Sequence, residues 1–229
     1  MSDAAGKGVI FDLDGTLVDS APDLHWALNH VLAEEGLPTL PLETVKSLIG
    51  HGLARLVEGG FAAVGAPRSR AALAARLGRF TAIYAANLAR LTRPFPGVPE
   101  VLMRLTEAGW RLGVCSNKST ALARSLLTAL GLERAFAAVV GGDATPYRKP
   151  HPAPLRLALR QLGVHDAVYV GDSAIDIATA RTVGVPVLLV SHGYAEDRIG
   201  ALAPDLVLDD IRSLPEVLQT SAPAGVATG

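Results

Sequence analysis

A chain of 229 residues has room for one core domain and a second, smaller unit, and with 49% hydrophobic and 19% charged residues it can bury an ordinary core. A net charge of -1 without any dense basic run excludes a nucleic-acid footprint and electrostatic attachment to an acidic membrane. The single cysteine, Cys115, excludes an internal disulfide and a thiolate zinc site.

The apolar stretches are far shorter than a membrane span, and the first residues lack an apolar signal core. The expectation is a cytoplasmic protein with a reduced, buried thiol. Residues 221–229 are Ala, Gly, Pro, Val, Thr and Ser without periodicity and read as a frayed tail.

In chain order, the first strand is Val9-Ile10-Phe11. Between residues 21 and 90 there is no convincing strand; 22–35, 42–49, 52–64 and 68–91 read as helices. This helical block, set between the first strand and a helix starting near Val98, forms a lid over whatever sits at the end of that strand. Strands at 111–115, 137–140, 167–170, 187–190 and 206–208 then alternate with helices. These run over 119–130 (capped by Ser119, stopped by Gly131), 153–162 (closed by Gly163), 174–183 (closed by Gly184) and 211–218. Short apolar strands alternating with helices predict an α/β fold, a parallel sheet covered on both faces. The expected division is a discontinuous core, 1–18 with 92–220, and a helical domain over 19–91.

In such sheets ligands bind beyond the carboxyl ends of the strands. Three strands here end in unusual polar groups: Asp12-Leu13-Asp14-Gly15-Thr16, Ser116-Asn117-Lys118, and Gly171-Asp172-Ser173 with Asp176 four residues after Asp172. Lys149-Pro150 follows a fourth strand closely. Asp14-Gly15 alone is explained by a turn. Asp12 is not, because an acid directly after Val-Ile-Phe needs a partner or a cation when buried. Asp172 alone is equally a helix cap, and Asp176 a dipole-favoured acid in a first turn. Ser116 alone is a cap and Lys149 a solvated charge, although prolines 150 and 152 stiffen its backbone. Together Asp12, Asp14 and Asp172 supply hard oxygen ligands of the kind magnesium takes.

The run from Asp12 to Ser20 resembles the first motif of the haloacid dehalogenase superfamily in its phosphatase branch. Ser116-Asn117-Lys118 resembles the second motif, Lys149-Pro150 the third, and Gly171 to Asp176 the fourth. All four occur in family order across essentially the whole folded chain. The resemblance implies a Rossmann-like core with an α-helical cap inserted after the first strand. It implies Asp12 as nucleophile forming an aspartyl-phosphate, and Asp14 as acid and then base. It implies Mg2+ held by the Asp12 side chain, the Asp14 backbone carbonyl and Asp172, with Asp176 and Thr16 behind them. Ser116 and Asn117 would contact the phosphoryl group, and Lys149 would neutralise it.

Physical chemistry fits these roles. A carboxylate approaching a phosphate dianion meets roughly 4 kcal/mol of repulsion per unit-charge pair at about 4 Å, a term that one dication and one lysine offset. Neighbouring carboxylates are expected to favour protonation of Asp14. A haloacid dehalogenase has no need of Asp14 or Asp172.

Substrate choice is expected from the block. Gly50 and Gly52 permit close backbone approach, and His51 and Arg55 are candidates to read a second anion; a plain turn with solvated Arg55 is the bland alternative. This stretch is similar to the cap loop of bacterial phosphoglycolate phosphatases. The implied substrate is therefore a small phosphorylated metabolite, 2-phosphoglycolate, acted on by a monomer or homodimer. The alternatives are a sugar phosphate such as N-acetylmuramic acid 6-phosphate, a phosphomutase reaction, or a non-catalytic scaffold.

Overall fold

The computed structural model describes residues 6–66, 69–194 and 202–220. Its centre is a six-stranded sheet, every neighbouring pair parallel, made of β1 (Lys7–Phe11), β4 (Arg111–Cys115), β5 (Ala138–Val140), β6 (Asp166–Gly171), β7 (Val187–Val190) and β8 (Leu206–Leu208). The order is β5-β4-β1-β6-β7-β8, which puts β1 in the middle with β4 and β6 beside it.

Side chains alternate across the pleat, so each strand feeds two cores. Val9, Phe11, Leu112 and Val114 join one core with α5 (Val98–Glu107), α6 (Thr120–Ala129) and α9 (Leu214–Thr220). Ile10, Cys115, Val140 and Tyr169 join the other with α7 (Ala153–Leu162) and α8 (Ala174–Val183). Both cores are dry and made largely of aliphatic side chains, the composition that a sheet covered on two faces demands. Gly163 (φ 63°) and Gly184 (φ 82°) end α7 and α8 in the left-handed conformation, as a glycine stop predicts.

Between β1 and α5 lie four helices, α1 (Ala21–Glu34), α2 (Leu42–Lys46), α3 (Leu53–Ala63) and α4 (Arg70–Ala86). They pack on one another through Leu28, Val31, Val45, Phe61 and Phe80. The second helix is shorter than the expected 42–49. The fourth ends at Ala86 rather than Leu91, and the expected start at Arg68 lies outside the described residues, as does the 221–229 tail.

One element has no counterpart in the sequence reading. β2 (Val18–Asp19) and β3 (Arg93–Pro94) form a two-stranded antiparallel ribbon where the chain enters and leaves the block. Asp23 reinforces it by accepting hydrogen bonds from the Leu91 and Thr92 amides and the Thr92 hydroxyl. Among the described residues, no helix is long and apolar enough to cross a membrane.

Candidate active site

Adjacent strands deliver the polar groups. Asp12 and Asp14 follow β1, Ser116 to Lys118 follow β4, and Asp172 follows β6, with Asp176 in the first turn of α8. Lys149 arrives on the connection between β5 and α7; its bond to Pro150 is cis.

Lys149 is the hub of a buried charge network. Its ammonium lies 3.0 Å from Asp12 Oδ1 and 2.7 Å from Asp176 Oδ1, and it donates to the Tyr169 hydroxyl at 2.9 Å. Burial alone pulls the pKa of such an ammonium down. Here the charges of Asp12 and Asp176 outweigh it and hold the lysine above its ordinary value. Asp176 is saturated: Oδ1 also accepts from Tyr169, and Oδ2 accepts from the Asp172 and Ser173 amides and the Ser173 hydroxyl. Burial raises its pKa, but the Lys149 charge and these donors bring it below the usual range.

Asp12 and Asp172 are treated differently. Burial pushes Asp12 up to about 7, with Lys149 opposing and Asp176 adding to the rise. Asp172 is pushed well above its ordinary value by burial, then by Asp176 and Asp12. Its carboxylate accepts from Thr16 Oγ1 at 3.0 Å and the Tyr194 amide at 2.8 Å. Carboxylate oxygens of Asp12, Asp172 and Asp176 lie within 4.8 Å of one another. Two buried acids that resist ionisation, next to a third that is already neutralised, form a site short of positive charge. A hard cation held by these carboxylates would correct it.

Asp14 lies outside that acidic cluster. Its partners are the Lys118 ammonium, 2.9 Å from both carboxylate oxygens, and the Ser20 hydroxyl at 2.5 Å. Lys118 is itself buried, and its pKa is raised because Asp14 outweighs the desolvation that would lower it.

The other candidates divide. Ser116 is buried, its hydroxyl accepts from the Lys118 amide, and it lines an inner chamber of about 20 Å³ with Asp12, Asp14, Lys118, Ile49 and Gly50. The Asn117 side chain is committed to protein: Nδ2 donates to the Gly50 and Lys149 carbonyls, and Oδ1 accepts from the Lys149 amide. It latches the helical block to the sheet, and the residue also lines the inner chamber. Gly52 (φ 87°) is required by space as well as by φ. A Cβ there would meet Arg148 Nη1 at 2.8 Å and the Asn117 carbonyl at 3.2 Å. His51 faces an outer cleft of about 370 Å³ shared with Asp12, Asp172, Lys46 and Tyr194. Arg55 is not brought to the site. Its side chain is 71% exposed and paired with Glu58 one helical turn on, and it lines neither the chamber nor the cleft.

Sequence reasoning left Lys118, Tyr169 and Tyr194 without roles. Lys118 stood inside a quoted motif, and two acids two residues apart at a strand end were a signal that each needs its own cation. Tyr194 had no such signal. Its hydroxyl accepts from the Ala21 amide and donates to Asp19, joining the entry of the block to the Asp172 loop.

Residues 9–190 match the family model for haloacid dehalogenase-like hydrolases. A phosphoglycolate phosphatase of Caulobacter vibrioides is 45% identical over 98% of this chain and 97% of its own length. One of Rhodospirillum rubrum is 45% identical over 97% and 95%. The crystal structure of a predicted phosphoglycolate phosphatase from Haemophilus somnus superposes with a TM-score of 0.86 at 32% identity, covering 93% of this chain and 98% of that one.

Proposed function

The chain belongs to the haloacid dehalogenase-like hydrolases, and within that family we propose that it is a Mg2+-dependent phosphomonoester hydrolase converting 2-phosphoglycolate to glycolate and phosphate. One observation carries the reading: Asp12 sits at the end of the central strand with one carboxylate oxygen on Lys149, beside Asp172. Relatives named phosphoglycolate phosphatase, aligned over nearly the whole chain, support the choice of substrate.

In this reading Asp12 Oδ2 attacks phosphorus, because Oδ1 is occupied by Lys149 and the Leu13 amide. The ester P–O bond breaks, and Asp14 protonates the departing glycolate oxygen. Water then attacks the aspartyl-phosphate as Asp14 takes its proton, releasing phosphate and restoring Asp12. Ser116 holds a phosphoryl oxygen, and Lys149 opposes the protonation that burial favours at Asp12 and aligns its carboxylate. Asp12, the Asp14 carbonyl and Asp172 would hold Mg2+, with Thr16 fixing Asp172 and Asp176 fixing Lys149. The ion supplies charge neutralisation of the transferring group.

Residues 19–91 act as a cap over the core formed by 1–18 and 92–220, excluding water until the site is assembled. Cytoplasmic location belongs to the same proposal, supported by the lone buried thiol of Cys115.

The test is phosphate release from 2-phosphoglycolate and a panel of sugar phosphates, with and without EDTA. Undiminished activity in EDTA removes the metal, and preference for a sugar phosphate removes the substrate. A sugar phosphate is the second reading, favoured by the size of the outer cleft. Isomer formation instead of phosphate release would mark a mutase.

A further inference from the structure

The substrate proposed above carries a second anion, and Arg55 does not reach the site. We propose that Lys118, with the Tyr84 hydroxyl beside it, is the group that reads the substrate carboxylate; this rests on the phosphoglycolate reading.

The length of the leaving group sets the argument. In 2-phosphoglycolate a single methylene separates the ester oxygen from the carboxylate. Whatever cation binds that carboxylate must therefore stand next to the group that protonates the ester oxygen. Asp14 has such a cation in place: Lys118 Nζ, at 2.9 Å from both its oxygens. Among the described residues Lys118 is the one lysine or arginine lining the inner chamber, and that chamber is open to Asp12, Asp14 and Ser116 alike. An ammonium has three N–H donors. Two are directed at Asp14, and the third has the Tyr84 hydroxyl as its neighbour.

Tyr84 supplies an independent observation. It comes from α4, on the other side of the site from the sheet, and is fully buried. Among the described residues its hydroxyl is the buried side-chain polar atom that makes no well-formed hydrogen bond, and the Lys118 ammonium is the cation that bears on it. A buried donor left unmade is costly, so it points to a missing acceptor. Its ring lies 5.0 Å from Lys118 Nζ. A carboxylate seated on Lys118 gives the Tyr84 hydroxyl the acceptor it lacks. It also lets a helix of the block and a loop of the sheet close on the same anion. The outer cleft offers Lys46 and His51 instead, but it lies on the Asp172 side, where the dication belongs.

The experiment compares kcat/KM for 2-phosphoglycolate and ethyl phosphate, which keeps the ester oxygen and replaces the carboxylate by a methyl group. Wild-type protein is expected to prefer 2-phosphoglycolate. Lys118→Met is expected to reduce that preference on the order of a hundredfold and Tyr84→Phe about tenfold or less, since a charged partner outweighs a neutral one. No wild-type preference overturns the phosphoglycolate reading itself. A wild-type preference that survives in Lys118→Met but is lost in Lys46→Ala or His51→Ala overturns only the assignment to Lys118. Should Lys118→Met fail to fold by circular dichroism, Tyr84→Phe decides: an unchanged preference overturns the proposal.

Discussion

The loops at the strand ends and the helices above them hold charge in opposite ways. At the strand ends Lys149, Asp12, Asp172 and Asp176 are all buried, and each position is fixed by several partners. Across the helical block most ion pairs are peripheral, Arg79 with Glu34, Lys46 with Glu43, and Arg55 with Glu58, and the buried Arg76 with Glu35 is the exception. Buried pairs are costly to break, whereas exposed ones contribute little. The proposed reaction chemistry thus falls in the half where buried charges are held by several partners. The block contributes shape, latched by Asn117 and closed by apolar side chains such as Ile49 and Leu53.

That contrast can be broken, beginning with the largest effect. Asp12→Asn is expected to lower kcat on the order of 10⁴-fold or more with the fold intact by circular dichroism; near-normal turnover would remove Asp12 as nucleophile. Asp172→Ala is expected to raise the Mg2+ concentration for half-activation by roughly 10–100-fold. An unchanged Mg2+ titration sinks its ligand role.

Next comes Lys149→Met, which strands Asp12 and Asp176 without their cation. A cost of about 3–5 kcal/mol is expected, read as a fall in Tm of roughly 10 °C. A Tm within about 2 °C of wild type would mean that the network contributes little to stability.

The pH dependence follows from Asp12. Its pKa rises from 3.8 in the unfolded chain to about 7 in the fold. The folded protein therefore binds more protons between these values, and metal-free stability is full below the lower value and declines as pH rises through the upper. Added Mg2+ is expected to raise Tm by roughly 5 °C or more at pH 8 and by less at pH 5, measured by thermal shift. Equal shifts at both values would count against a cation at Asp12.

The smallest effect belongs to the helical half. Arg55→Ala is expected to leave KM for 2-phosphoglycolate within about twofold, since the side chain faces solvent and an exposed pair. A large rise would mean that the block closes in a way that swings Arg55 inward.

The same contrast separates what the sequence disclosed from what it withheld. Strand ends were legible because an acid after Val-Ile-Phe violates the apolar rule for a buried strand, and Gly163 and Gly184 marked the helix ends. The ribbon of β2 and β3 was not legible, since two residues per strand show no period. Arg55 was left open between an anion contact and a solvated side chain because helical phase decides its direction, and Glu58 three residues on was the clue to the exposed pair. The Asn117 amide and Tyr194 find partners remote in the chain, which only the assembled fold brings near.

The ribbon and the Asp23 clamp place the block's entry and exit side by side. Seventy-odd residues are therefore attached to the sheet through one narrow neck, like a bead on a clasp. A segment joined this way can be exchanged, enlarged or shortened without rethreading a single strand of the sheet beneath it. New substrates become accessible by grafting at that clasp while the phosphoryl-handling half stays as it is.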